Sequence, residues 1–351
     1  MLINGKYPVF GANGIIGRYD KYNHELSQLL ITCRGATCGS INISEPKSWI
    51  NGNAMVIKPN NDNLLLKYIE YYFKGYINLE QVITGAAQPQ ITKQRLSPVE
   101  IFLPPLKEQK YIVAILDKTF AEIAKAETIA KTNLQNAKEL FESYLNNVFI
   151  NKDDDWEERT LGSVCLVERG SSPRPIKKYL TDRKDGVNWI KIGDTKNIER
   201  YIYKTNQKIT KEGAKKSRFV KEGDFILSNS MSFGKPYIMK TTGCIHDGWF
   251  KLKLHNFVDT EYFYQLLSSP YVNNQFHNLA SGSVVKNISG DLVKKVVLPI
   301  LPLIKQKKIV QKLEHLQVKT KKLEKIYQQK ITNLSELKKS ILQKAFSGRL
   351  L

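Results

Sequence analysis

The sequence predicts an α+β protein built from two similar domains, joined and spaced by two long helices that form an antiparallel coiled coil. Three observations predict it. The 351-residue chain aligns with itself when shifted by 197 positions. Two stretches of more than forty residues contain neither Pro nor Gly and carry an apolar stripe. The segment ahead of each stretch mixes β-like runs, short helical runs and glycine- or asparagine-rich turns.

The shift sets Gly85 on Gly282, Ile91 on Ile288, Pro105-Leu106 on Pro302-Leu303 and Gln109 on Gln306. It continues through Leu116 on Leu313, Glu139-Leu140 on Glu336-Leu337, Leu145 on Leu342 and Phe149 on Phe346, without a gap over 65 residues. Upstream, a shift of 195 sets Ile31 on Ile226, Gly39 on Gly234, Ile50 on Ile245 and Lys58 on Lys253. The Gly, Pro and Gln matches precede the helices, so a shared amphipathic pattern does not produce them. The period is too long for a solenoid. The order is globular unit, helix, globular unit, helix: 1–106, 107–151, 152–303 and 304–351.

The first unit has β-like runs at Leu29–Thr32 and Ala54–Ile57, a helical run at Asn63–Phe73, and a β-like run from Val99 to Leu103 leading into proline. Gly11-Ala12-Asn13-Gly14 reads as a turn. In the first helix the stripe runs through Val113, Leu116, Phe120, Ile123, Ala130, Leu134, Ala137 and Phe141, with Glu127 as a charged interruption. The second unit repeats the β-like runs at Phe225–Leu227 and Lys251–Leu254, a helical run at Thr260–Leu267, and a β-like end at Lys295–Leu298. The second helix has a weaker stripe through Ile309, Leu313, Leu316, Leu323, Leu334 and Ile341, broken at Thr320 and Lys330. At about 1.5 Å per residue, such a helix is roughly 64 Å long. Pairing the helices hides both stripes and sets one unit at each end. The competing arrangement packs each helix on its own unit or on another protein.

Apolar residues at 42% and charged residues at 25% are those of a folded globular chain. The longest uncharged apolar run, Val296–Ile304, is too short to span a bilayer and contains two prolines. No signal peptide is legible, and four cysteines do not make a disulfide framework, which together predict the cytoplasm. The net charge is +21. It points to a polyanionic partner, although an anionic membrane face or solubility alone would have the same sign. The regions 152–303 and 304–351 carry +8 and +10, against +3 and 0 for the two before them. Lysine runs such as Lys319-Thr320-Lys321-Lys322 could line DNA or form a solvated helix face.

Catalytic motifs are absent. Gly11–Gly17 lacks the spacing of a dinucleotide loop and the Lys-Ser/Thr of a phosphate loop. Leu103-Pro104-Pro105-Leu106 lacks the polar and aromatic members of an amino-methyltransferase tetrad. The five histidines show no paired metal spacing, and no nucleophile–base pair stands out. The chain reads as non-catalytic, with no metal and no cofactor of its own.

Two like units suit two half-sites on a duplex, with polar side chains at base edges and basic ones on phosphates. The polar loops shared by both units supply the candidates. In the first unit they are Arg34, Thr37 and Ser40, then Gln88, Gln90 and Lys93. In the second they are Asn229, Ser230, Ser232 and Lys235, then Lys286 and Asn287, with Arg174 and Lys177 on a further basic loop. Since these loops recur at one repeat position, they could equally brace the fold.

The hinges Leu103-Pro104-Pro105-Leu106-Lys107-Glu108-Gln109 and Leu301-Pro302-Leu303-Ile304-Lys305-Gln306 precede helices ending Ser143-Tyr144-Leu145 to Phe149 and Ser340-Ile341-Leu342 to Phe346. With Gly5–Gly17 ahead of the first, this pattern resembles, over nearly the whole chain, the specificity subunit of type I restriction–modification systems. The resemblance implies two target recognition domains reading the halves of a split double-stranded DNA site. It implies helices that set the spacer and dock two methyltransferase subunits carrying S-adenosylmethionine, with ATP- and Mg-dependent restriction subunits joining them. The shift of 195 departs from the family in one respect: Trp156, which opens the second unit, maps about 39 positions ahead of Met1. The first unit is therefore expected to be short at its front. The alternatives are a helical adaptor and a relic of a fused methyltransferase or nuclease.

Overall fold

A computed structural model describes residues 5–59, 63–151, 155–229, 234–280 and 289–347. In chain order, the first domain contains β1 (Tyr7–Gly11), β2 (Gly14–Tyr19), β3 (Leu29–Thr32), β4 (Ile41–Ile43), β5 (Trp49–Ile50), β6 (Ala54–Ile57), α1 (Leu66–Gly75) and α2 (Lys93–Leu96). The long helix α3 (Leu106–Ile150) follows. The second domain opens with β7 (Glu157–Thr160), α4 (Leu161–Val164), β8 (Cys165–Arg169), β9 (Leu180–Thr181), β10 (Val187–Ile190), β11 (Tyr201–Ile202) and β12 (Gln207–Ile209). It continues through α5 (Lys211–Lys215), β13 (Arg218–Val220), β14 (Phe225–Ser228), β15 (Pro236–Met239), β16 (Gly243–Ile245) and β17 (Trp249–Leu254). Then come α6 (Thr260–Ser268), α7 (Pro270–Ala280), α8 (Gly290–Lys294), β18 (Val297–Ile300) and the long helix α9 (Leu303–Phe346).

The chain forms two compact units, and the division runs through both long helices. Unit one is the first domain with α3 up to Asn133 and α9 from Ile326. Unit two is the second domain with the rest of both helices. In unit one, α3 leaves the domain at Leu106 while α9 arrives with Phe346, so the two segments are antiparallel. Ile112, Val113 and Leu116 share a core with Leu342, Ala345, Phe346 and Tyr68, Tyr71 and Tyr72 of α1. Unit two has the converse arrangement: Leu145 and Phe149 at the end of α3 share a core with Val310 and Leu313 at the start of α9.

The two domains share a strand plan. In the first, β3 lies between β4 and β6; in the second, β14 lies between β15 and β17. β1 pairs antiparallel with β2 and parallel with β5, as β10 does with β12 and β16. The second domain adds β8 along the outer edge of β17 and β7 along β18. The expected β-like end at Val99–Leu103 is not a strand in the first domain, although its repeat, β18, is. A strand requires a ladder partner, and among the described residues nothing in the first domain corresponds to β7.

The helix stripes bury as a seam should near the domains. Val113, Leu116, Ile123 and Leu313 are buried, and Phe120, Ile341 and Phe141 pack against the same cores. Lys338 of α9 stands over the Phe120 ring of α3. Leu134, Leu316 and Leu334 are half-buried. Leu323 departs from the pairing expected of it, being 38% exposed. Away from a domain, a two-helix seam covers only one side of each knob.

Candidate nucleic-acid interface

In each domain the same joint carries the site. Gln109 is fully buried at the head of α3; its Oε1 accepts from Leu65 N at 2.9 Å. Its Nε2 donates to the carbonyls of Asn63 and Pro104, both at 2.8 Å. Gln306 makes the same three bonds, to Asp259 N at 2.7 Å and to the carbonyls of Phe257 and Leu301 at 2.9 and 2.6 Å. Tyr68 Oη donates to Phe102 O, and Tyr262 Oη to Pro299 O. The repeated glutamine thus fixes α1 or α6 against the proline hinge, and through it the domain against its outgoing helix.

The polar loops leave the domain's central strand. In the first domain Thr32 N donates to Ser40 O and Gly39 N to Thr32 O; in the second, Ser228 N donates to Lys235 O and Gly234 N to Ser228 O. Gly39 and Gly234 have φ of +90° and +77°, a conformation that a side chain would strain. Between these fixed ends the first loop has one residue more, so the structure sets Ile31 on Leu227 and not, as the uniform shift of 195 expects, on Ile226, and the offset of 195 holds only beyond the loop. Cys33 N donates to Asn53 O and Asn229 N to Gly248 O, so the first loop stands on the β5–β6 turn and the second on the β16–β17 turn.

In the first domain two loops meet. Arg34 and Thr84 both bridge to Gln90, and Gly35 N donates to Pro89 O. Arg34, Thr37, Gln88 and Gln90 are therefore gathered, all exposed, with Ser40 half-buried at the loop base. Beside them, Thr32 Oγ1 donates to Ala12 O, in the turn of the β1–β2 hairpin predicted as a glycine turn. Lys93 is separate: it begins α2 and lines a groove along β6.

In the second domain Asn229 is corrected as a DNA contact. It is 1% exposed, and its Nδ2 donates to Asp247 O. Its place is that of Cys33, whose thiol reaches Gly52 O in the corresponding turn. Lys235 is exposed, with Nζ donating to Ile198 O and standing over the Tyr237 ring. Ser230, Ser232, Lys286 and Asn287 lie outside the described residues. Arg174 is 82% exposed and 3.5 Å from Asp247, and Lys177 is exposed nearby. Lys321, from the lysine run of α9, pairs with Glu199.

The turn His246-Asp247-Gly248 was missed as a feature of the site. Its legible signal was the repeat, which sets it on Asn51-Gly52-Asn53. Asp247 accepts from Ser172 Oγ at 2.7 Å, and this bond holds its carboxyl below the usual range despite partial burial. Burial pushes the His246 imidazole down from its ordinary value, against the pull of Asp247. The second domain thus offers the exposed cations Arg169 and Arg174, both reaching Asp247, with Lys177 and Lys178 exposed further along the Arg174 segment. Among the described residues no group of His, Cys, Asp and Glu could hold a metal ion. Such a surface can bind anionic backbone and present amide and guanidinium donors.

The family model for the type I restriction–modification DNA specificity domain matches residues 3–133 and again 153–333. The chain belongs to that family. Its specificity subunits are non-catalytic, in keeping with a surface built for recognition. A specificity subunit of a type I restriction enzyme from Haemophilus influenzae is 25% identical over 329 residues, covering 91% of this chain and 82% of that one. The EcoDI specificity subunit of Escherichia coli is 21% identical, covering 99% and 83%. The fold is similar to that of a chain from a type I R-M complex, with a TM-score of 0.78 at 20% identity over 93% of this chain and 83% of that one. It is also similar to the HsdS subunit of Thermoanaerobacter tengcongensis, with a TM-score of 0.62 at 20% identity over 94% and 82%. No helix among the described residues is long and apolar enough to cross a membrane.

Proposed function

We propose that the two domains act as target recognition domains, each reading one part of a split double-stranded DNA site, and that the long helices set the spacer and dock two methyltransferase subunits. Those partners would bring S-adenosylmethionine, and restriction subunits would bring ATP and Mg chemistry; this chain supplies sequence choice. The observation that carries the reading is the duplicated loop, held at its base by the same backbone bonds in both domains. A rigid base with a variable polar tip is what base-edge readout requires, since direction is fixed and donors can differ. Arg34 is assigned to a base or phosphate in the first part of the site, with Gln88 and Gln90 beside it. Lys235, Arg174 and Lys177 serve the second.

Genome-wide methylation mapping tests this, in a host supplying the methyltransferase subunits with or without the chain. Methylation at a bipartite sequence should require the chain, and exchanging residues 33–39 should alter one part of that sequence only. Methylation that does not depend on the chain would end the reading.

A further inference from the structure

The turn beneath the recognition loop is built alike in both domains and differs at one side chain. Asn51 N donates to Phe10 O and His246 N to Ile190 O; Ala54 N donates to Asn51 O and Trp249 N to His246 O. The first side chain of each turn closes it in the same way, Asn53 N donating to Asn51 Oδ1 at 3.0 Å and Gly248 N to His246 Nδ1 at 2.7 Å. The carbonyl of the middle residue takes the Cys33 thiol in one domain and the Asn229 amide in the other. That middle residue is Gly52 in the first domain and Asp247 in the second. Gly52 lies outside the left-handed region, and a Cβ there would meet nothing within 4 Å. The turn therefore neither needs a carboxylate nor excludes one, and the fold does not explain Asp247.

The Asp247 side chain is 47% exposed. Its Oδ1 accepts from Ser172 Oγ at 2.7 Å, which fixes the direction of the carboxylate. Its Oδ2 meets Arg174 Nη2 at 3.5 Å, a long contact from a side chain that is itself 82% exposed. An ionised carboxylate only accepts hydrogen bonds. On a surface of cations facing phosphates it opposes binding unless the ligand answers it with a donor. In the major groove guanine shows the acceptors N7 and O6, thymine the acceptor O4, and adenine a donor beside the acceptor N7; cytosine shows its N4 amino group with no acceptor of its own beside it. We propose that Asp247 is a specificity-determining residue, its Oδ2 accepting from the N4 amino group of one cytosine in the part of the site that the second domain reads. Gly52 leaves the first domain without that demand. The inference rests on the DNA-reading role argued above and deepens it to one base.

Methylation mapping of the full chain with methyltransferase subunits, as wild type, Asp247→Gly, Asp247→Asn and Arg174→Ala, tests this. The part of the sequence that survives exchange of residues 33–39 should contain a fixed C·G pair. Asp247→Gly, which installs the residue of the first domain, should accept other pairs at that position and nowhere else, while Arg174→Ala keeps it fixed. Asp247→Asn retains an acceptor for Ser172 and adds a donor, so it should move the preference from cytosine towards adenine. If Asp247→Gly loosens β14 and β17 in hydrogen exchange, Asp247→Asn decides alone. In competition binding, replacing that cytosine by 2-pyrimidinone, which lacks the amino group, should cost the wild type about tenfold and leave Asp247→Gly unaffected. An unchanged sequence in both Asp247 variants would overturn the proposal. So would the same relaxation in Arg174→Ala, which would make Asp247 only a support for that guanidinium. A wild type that directs no bipartite methylation defeats the reading of the two domains, whereas a bipartite sequence with no fixed C·G pair in its second part defeats this inference alone.

Discussion

A single side chain, Gln109, is itself fully buried and holds three backbone groups, the Pro104 carbonyl in a buried bond and Leu65 N and the Asn63 carbonyl in partly buried ones. Leaving buried donors or acceptors unmatched costs about 1–3 kcal/mol each. Gln109→Ala should therefore destabilise unit one by about 2–4 kcal/mol, read as lost hydrogen-exchange protection of the α1 amides with β17 unchanged. Gln306→Ala should do the reverse. His246 makes a separate prediction. Its folded-state pKa lies below the ordinary 6.5 because burial disfavours the imidazolium. The unfolded state then binds more protons below that value, so unit two loses stability as pH falls through and below 6.5 and keeps it above. Thermal unfolding at pH 7.5 and 5.5 should show a lower midpoint at pH 5.5, and His246→Gln should shrink the difference.

At the scale of elements, the aromatic ends of the long helices do the joining. Phe346 lies edge-on to Tyr68 and Tyr72, at 5.4 and 5.0 Å between ring centroids. Phe149 does the same to Tyr262 at 5.7 Å. Removing a buried Phe typically costs about 3–5 kcal/mol. Phe346→Ala should loosen unit one and Phe149→Ala unit two, in denaturant unfolding followed by exchange. These helices, their hinges and the central strands were legible because periodicity and repetition are properties of the sequence itself. Asn229, Leu323 and Val99–Leu103 were not. Asn229 looks like a base reader until the Asp247 carbonyl captures its amide. Leu323 keeps the stripe's spacing but not its cover. Val99–Leu103 has β-like residues, and whether such residues form a strand depends on a partner strand elsewhere in the chain.

For the whole molecule, the net charge of +21 favours a polyanionic partner, and the number of phosphates contacted sets how binding responds to salt. Phosphate contacts release counterions, so the logarithm of affinity falls with the logarithm of salt in proportion to their number. Base contacts add selectivity with little effect on that slope. On the proposed reading, the two kinds would fall on different loops. Lys177 and Lys178 are exposed cations on the short 3-10 turn Ile176–Lys178, and their flexible ammonium groups suit backbone contact. Arg34 stands on a loop bonded to a second loop through Gln90 and Pro89, which suits a directed contact. Replacing both lysines by alanine should weaken binding to all duplexes alike and lower the salt slope by about 2. Arg34→Ala should instead narrow the gap between cognate and scrambled duplex by about 1–3 kcal/mol. Binding isotherms at several salt concentrations, on both duplexes and with the methyltransferase subunits present, measure slope and gap together. If Arg34→Ala lowered the slope and left the gap intact, the first loop would be gripping phosphate, and the reading of bases would have to move to the Gln88 and Gln90 side of the same cluster.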